Sequence, residues 1–304
     1  CRQKMSAKSS TGMQVKLCNC CGIEEHPELT DQSPQSPSAM GQMREELGPL
    51  WRIAWPLLIA QTAQIGTGVV DTLMAGNYGD TDLAAIAIGF NIWLPLYLII
   101  LGTLFACSAI VAQDFGAGRL ERVRSFLPQG LWVAVVLSAM MTPLCLKSGA
   151  IIELLELPSD TTAKTAAYVS RVGLGFPALG IFMALRYHTQ GLGVTAPFAI
   201  ASVVGFLANV PLNYMLIFGA WGAPELGAEG CGLATAASMW LSTLIILLYV
   251  LSANSLRHYL PERWLQAPDR QRIGEILAVG LPVGFTFFLE TGVFSAITLL
   301  IATL

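Results

Sequence analysis

The sequence predicts an all-α integral membrane protein, and three observations carry that expectation. Hydrophobic residues make up 54% of the chain and charged residues only 12%, against about 25% charged in soluble domains. Seven stretches are long and apolar enough for a bilayer crossing, which takes about 20 residues per helix. Lys and Arg also alternate between successive loops, as a chain threading back and forth requires. A water-soluble fold this poor in charge could not cover its surface, so lipid must cover most of it.

Residues 1–49 differ from the rest. They are polar, rich in Ser, Pro, Gln and Glu, and show no helical period, so they read as a disordered tail or as sequence upstream of a later start at Met40 or Met43. No signal-peptide pattern is present. The cluster Cys18, Cys20, Cys21 and His26 matches no zinc spacing, and no structural metal is expected from it. The net charge of -3, without a basic block, points away from nucleic acid. Cys107, Cys145 and Cys231 lie in or beside apolar stretches and read as small hydrophobes.

The spans run roughly 50–76, 84–113, 126–146, 166–188, 196–219, 230–252 and 275–304. Pro56, Pro95, Pro143, Pro177, Pro211 and Pro282 all fall inside them. Proline removes a backbone donor and displaces the carbonyl four residues earlier. Lipid tolerates that only where neighbouring helices or water satisfy the freed group, so the helices are expected to bundle around a cavity.

Arg44 and Arg52 precede the first span; Arg119, Arg122 and Arg124 follow the second; Arg186 and His188 end the fourth; Arg257, Arg263, Arg270 and Arg272 lie between the sixth and seventh. The intervening loops are poor in such charge. The N-terminus is therefore expected in the cytoplasm and the protein in the inner (plasma) membrane, crossing it many times.

The first and seventh spans look alike. Aligning Pro56 with Pro282 sets Gln64 opposite Glu290, and both spans follow a basic segment, so they run in the same direction. That is a parallel repeat about an axis along the membrane normal. The organisation expected is a six-helix N-terminal lobe over 50–252, a cytoplasmic inter-lobe loop over 253–274, and the first helix of a second lobe over 275–304. Because the sequence stops at Leu304 inside the seventh span, the expectation is a C-terminally truncated chain whose full form has about twelve spans.

Polar residues at membrane depth mark the candidate site. Asp71 lies late in the first span, among Val69, Val70, Leu73 and Met74; an acid there costs about 2.5–3.5 kcal/mol on insertion scales. Gln64, Gly68, Asp71 and Ala75 share one helical face, polar or small, which should line the interior. Glu290 sits among Phe287, Phe288, Leu289 and Phe294. Asn209 and Asn213 stand one turn apart, and with a carbonyl freed by Pro211 they resemble the oxygen ligands of a small cation. Thr235 follows Gly230 and Gly232. Each has a plainer reading: Asp71 as a helix-end cap, Glu290 as a packing acid, the two Asn residues as interhelical hydrogen bonds, Thr235 as packing polarity.

The flank Val70-Asp71-Thr72-Leu73-Met74-Ala75-Gly76 resembles the first-span motif of the multidrug and toxic compound extrusion (MATE) family, in its NorM-like bacterial branch. Val111-Ala112-Gln113 with Gly116-Ala117-Gly118-Arg119, Asn209-Val210-Pro211-Leu212-Asn213, Gly222-Ala223-Pro224-Glu225-Leu226-Gly227, Gly230-Cys231-Gly232-Leu233-Ala234-Thr235 and Phe287-Phe288-Leu289-Glu290 agree with it in order. The resemblance implies a twelve-helix, two-lobe transporter with a central cavity. It also implies multidrug efflux of cationic amphipathic compounds by antiport against Na⁺ or H⁺, by a monomer in the bilayer. In that family Asp71, Asn209 and Asn213 correspond to the ion- or proton-coupling residues of the first lobe, with Na⁺ as one occupant. Glu290 corresponds to the second-lobe acid associated with Na⁺. Gln64 and Thr235 would line the cavity.

On that reading cation and drug exclude each other: a cation on Asp71 or Glu290 cancels the charge that holds a cationic drug. No Gly-rich Lys-Ser/Thr phosphate loop occurs, which argues against ATP hydrolysis. No cofactor and no enzymatic residues are expected. A lipid-linked saccharide flippase of the same superfamily is the nearest rival, but its phosphate-bearing substrate calls for a basic cavity.

Overall fold

The computed structural model describes residues 39–153, 158–264 and 266–302; the Cys18, Cys20, Cys21 and His26 cluster lies outside them. The chain divides into two compact units, Cys1–Glu45 and Glu46–Leu304. Of the first unit, only the opening turns of the first helix fall among the described residues.

The described residues form α-helices and short 3-10 turns, and no strand occurs among them. In chain order the α-helices are α1 (Ala39–Tyr78), α2 (Asp80–Gly116), α3 (Leu120–Leu146), α4 (Gly149–Glu153), α5 (Ser159–Gly173), α6 (Phe176–Gly191), α7 (Ala196–Phe218), α8 (Ala228–Ser252) and α9 (Arg270–Ala302). Six of them can cross a membrane alone: α1 from Leu50, α2, α3, α7, α8 and α9. The pair α5 and α6, bent by 43°, is long and apolar enough for a seventh when the two are taken as one broken span. Pro95, Pro143, Pro211 and Pro282 lie inside continuous helices.

The fourth crossing differs from the unbroken span expected. Leu174 and Gly175 interrupt it, and Pro177 stands in the first turn of α6, where a missing N–H costs nothing. Proline starts a helix here instead of kinking one. The break brings Gly175 against α8, where a Cβ would lie 2.6 Å from the Met239 sulfur and 3.1 Å from the Ala236 Cα.

The second crossing is longer than the apolar stretch suggests. Its ends take in Asp82 and Asp114, each 4% exposed. Arg186 and His188, expected at the end of a span, are buried at 8% and 2% exposure within α6. Apolar character sets the hydrophobic stretch; it does not set where the helix hydrogen bonds stop.

The long helix α2 is the centre of the bundle, packing against α3, α5, α6 and α9, while α8 joins α5, α6 and α7. The α2–α9 crossing is close because both helices present glycine. A Cβ on Gly102 would lie 2.5 Å from the Cα of Gly284, and a Cβ on Gly284 would lie 2.8 Å from the carbonyl oxygen of Ile99. Small residues let helix backbones approach where lipid offers no hydrophobic drive. Away from the cavity, α1 exposes Trp55, Leu58 and Ile59, and α9 exposes Phe285, Val293 and Phe294, as suits surfaces that meet hydrocarbon.

The segment between α8 and α9, expected as a basic loop, is strapped along the start of α3. Arg124 Nε donates to the His258 carbonyl at 2.5 Å, and Trp132 Nε1 to the Gln266 carbonyl at 2.9 Å. Gln129 donates to the Ala267 carbonyl at 3.2 Å and accepts from the Asp269 N–H at 2.8 Å. Arg122 spans from Asp114 of α2 at 3.1 Å to Glu275 of α9 at 3.1 Å.

The glycine seam yields a stability prediction. Gly102→Val forces α2 from α9 and should destabilise the chain by about 1–3 kcal/mol, read as a lower thermal midpoint in detergent. Gly292→Val, whose Cβ would meet nothing within 4 Å, should leave the midpoint in place. Equal midpoints for both variants would remove the seam from the account.

Candidate functional site

Three helices bring four polar side chains together. Asp71 of α1 is 6% exposed, Asn209 and Asn213 of α7 are fully buried, and Thr235 of α8 is 6% exposed. The Asn213 amide donates to Asp71 Oδ1 at 2.5 Å and to Asn209 Oδ1 at 2.9 Å. The Thr235 hydroxyl donates to Asp71 Oδ2 at 3.2 Å. Both carboxylate oxygens therefore accept from neutral donors.

The local sequence explains the arrangement. Asn209 and Asn213 are four apart on α7 and so share a face. Asp71 lies seven residues before the end of α1, about 10 Å along the axis, too deep for a helix-end cap. Thr235 lies seven residues into α8, whose start is fixed by a second acid. Asp82 Oδ1 accepts the N–H of Ala228 at 2.8 Å while its Oδ2 accepts from Lys164 at 2.9 Å. Gly227 makes room for that contact: its φ is 55°, and a Cβ there would lie 2.5 Å from Asp82 Oδ1.

The three buried acids differ in one respect. Asp82 has Lys164, and Asp114 has Arg122 at 3.1 Å and Arg119 at 3.5 Å. Asp71 pairs with no Lys, Arg or His among the described residues. Water-poor surroundings disfavour an uncompensated carboxylate. Two buried polar atoms beside it have no partner, Asn209 Nδ2 and Asn213 Oδ1.

Asp71 and Thr235 line a cavity of about 830 Å³, within the range that encloses drug-sized molecules. Gln64 and Gly68 line it too, while Ala75 of the same stripe is buried at 1%. Phe90, Trp93, Tyr97, Tyr168, Phe182 and Phe206 give it aromatic walls. Among the described lining residues, Asp71 is the one Asp, Glu, Lys, Arg or His.

Glu290 is not brought to this group. It is exposed on α9 beside Leu289 and Phe294 and lies outside the cavity lining. Sequence reasoning passed over Asp82 and Asp114. The signal for Asp82 was present, since an acid in the first turn after a glycine suits a helix N-terminus.

The MatE family model matches residues 56–215, more than half of the chain and a segment that includes Asp71, Asn209 and Asn213. The chain belongs to the MatE family. Members of this family are membrane transporters and not enzymes. The chain is 40% identical over 275 residues to multidrug resistance protein PmpM of Pseudomonas aeruginosa, covering 90% of this chain and 57% of PmpM. It is 36% identical over 265 residues to multidrug resistance protein NorM of Vibrio cholerae, covering 87% of this chain and 58% of NorM. It therefore spans a little over half the length of these relatives.

The fold agrees. The crystal structure of the eukaryotic MATE transporter AtDTX14 superposes with a TM-score of 0.78 at 19% identity, over 86% of this chain and 57% of that one. A MOP superfamily transporter from Pyrococcus furiosus, described as having a binding pocket of reverse polarity that suggests a different function, gives 0.69 at 20% identity, over 79% and 52%.

The geometry assigns Thr235 a direct share in holding Asp71. Thr235→Val removes one of two side-chain donors to a buried carboxylate. It should cost about 1.5–3 kcal/mol, measured as a lower unfolding midpoint. A midpoint equal to the parent's would show that this hydrogen bond carries no weight.

Proposed function

We propose that this chain supplies the ion-coupling half of a multidrug exporter that exchanges cationic amphipathic compounds for Na⁺ or H⁺. The single observation that carries the reading is Asp71: a buried carboxylate with no basic partner among the described residues, opening into a large aromatic-walled cavity. An acid tied only by neutral donors can accept either a proton or a cation. For Na⁺, the Asn213 amide would turn so that its unpartnered oxygen joins the Asp71 carboxylate and the Asn209 and Thr235 oxygens, a hard-oxygen set of the kind small cations take. For H⁺, the carboxylate itself is the acceptor.

The exchange follows from charge. With Asp71 ionised, the cavity attracts a cationic aromatic compound through its one acid and its ring faces. With Asp71 neutralised, that attraction falls and the cargo leaves. One charge moving through 100 mV supplies about 2.3 kcal/mol, roughly a fortyfold gradient at 1.4 kcal/mol per tenfold. Glu290, on the open face of α9, is assigned the second coupling acid of the complete protein. The N-terminus is placed in the cytoplasm, the protein in the plasma membrane, and the working unit is a monomer of two lobes, with 50–252 forming the first and 253–274 the connector.

A lipid-linked saccharide flippase is the alternative that the fold allows, since a neighbour of the same fold is described as having reversed pocket polarity. The cavity lining favours the exporter: phosphate recognition calls for Lys or Arg, and none stands among the described lining residues.

The test is cationic-dye transport by the complete protein in everted vesicles under an imposed Na⁺ or pH gradient. Asp71→Asn keeps the hydrogen-bonding shape and removes the titrating charge; it should lower gradient-driven transport at least tenfold, or about 1.4 kcal/mol, with the helical spectrum unchanged. Glu290→Gln should lower it as well. Undiminished, still ion-dependent transport in both variants would refute the assignment.

A further inference from the structure

Arg186 is the one buried Lys or Arg among the described residues. It is 8% exposed, and no Asp or Glu pairs with it among the described residues. Its Nε has no hydrogen-bond partner, and its Nη1 reaches only the Met183 sulfur at 3.8 Å. Its guanidinium lies instead over rings, 3.7 Å from the centroid of Phe198 and 5.1 Å from that of Tyr187. By contrast, Arg122 has Asp114 and Glu275, and Arg171 has Glu229 at 2.6 Å. A charge kept in apolar surroundings without a counter-ion is expensive, and inside a membrane protein such a group marks a function by default.

Its position supplies the function. Phe182 of α6 and Ser202 of α7 line the cavity. Arg186 lies one turn beyond Phe182 on the same face of α6, and Phe198 lies one turn beyond Ser202 on α7. The Tyr97 phenol, which also lines the cavity, is within electrostatic reach of the guanidinium. Phe198 is fifteen residues from Asn213 on α7, about 22 Å along the helix. The cavity thus has the uncompensated acid Asp71 toward one end and an uncompensated cation just past the other.

We propose that Arg186 is a fixed positive barrier beneath the cavity that stops Na⁺ or H⁺ from leaking past its far end. Resting on the exporter reading for the identity of these ions, the role is that of a positive group that repels cations along a narrow path in a low dielectric, as in pores that exclude them. The rings of Phe198 and Tyr187 hold the charge in place by cation–π attraction without neutralising it. A carboxylate partner would cancel the barrier, which accounts for the missing acid. The barrier also confines cationic cargo to the Asp71 end until the helices rearrange.

The test follows a Na⁺ or pH gradient across liposomes that carry the complete protein, with no drug present. Arg186→Met removes the charge and keeps a long apolar side chain to pack on Phe198. The gradient should decay roughly tenfold faster than with the parent protein. Arg186→Lys keeps the charge and should hold the gradient as the parent does. Arg186→Gln supplies a second neutral variant should the Met variant fail to assemble. Neutral variants that hold the gradient as long as the parent overturn the barrier, as does a Lys variant that leaks as fast as the neutral ones. Drug exchange by the parent, read in the same vesicles, keeps the two ideas apart. Intact exchange beside tight neutral variants removes the barrier alone; absent exchange beside a leak opened by neutralising Arg186 removes the exporter alone.

Discussion

A carboxylate taken out of water must be satisfied by something within the protein, and at Asp71 that something carries no charge. Asn213 and Thr235 each give it one hydrogen bond, from two different helices. A lysine in their place would have fixed the acid permanently in its ionised form. Neutral donors instead leave it without a counter-charge. The rest of the bundle serves this contact. The Asn209–Asn213 bond sets the amide, the Asp82 cap fixes where α8 begins, and the broken fourth crossing lets α6 start where Gly175 meets α8.

The same chemistry sorts the buried charges into two kinds. Asp82 and Asp114 are paired with cations at the ends of helices, where they hold elements in register. Asp71, which lines the cavity, and Arg186, one turn past its lining residue Phe182, are both unpaired. Burial alone does not separate the kinds, since all four are less than 10% exposed. What separates them is the identity of the partner: opposite charge in the first kind, neutral groups or aromatic rings in the second.

Much of the fold was legible because lipid imposes strong rules on sequence. Seven apolar stretches correspond to six single helices and one bent pair. The stripe of Gln64, Gly68, Asp71 and Ala75 faces inward in the structure, since period 3.6 is a local property. The partnership of Asp71 with Thr235 was not legible, because the two are 164 residues apart and nothing local couples them. Helix ends were misjudged for a different reason. Apolar runs measure contact with hydrocarbon, whereas α2 continues through Asp82 and Asp114 because ion pairs and a cap make those acids tolerable. Arg186 was read as a flanking charge on the same apolar criterion, which has no way to foresee that Phe198 would cover it.

The segment between α8 and α9 has a mechanical consequence. Bound to α3 through Arg124, Gln129 and Trp132, with α3 itself paired to α9 through Arg122 and Glu275, it has little slack to take up movement. A tethered strap of this kind transmits force where a loose one absorbs it. Displacement of α9 is therefore felt at the first turns of α3, and through Asp114 at the end of the same long helix whose other end carries Asp82 and the α8 anchor.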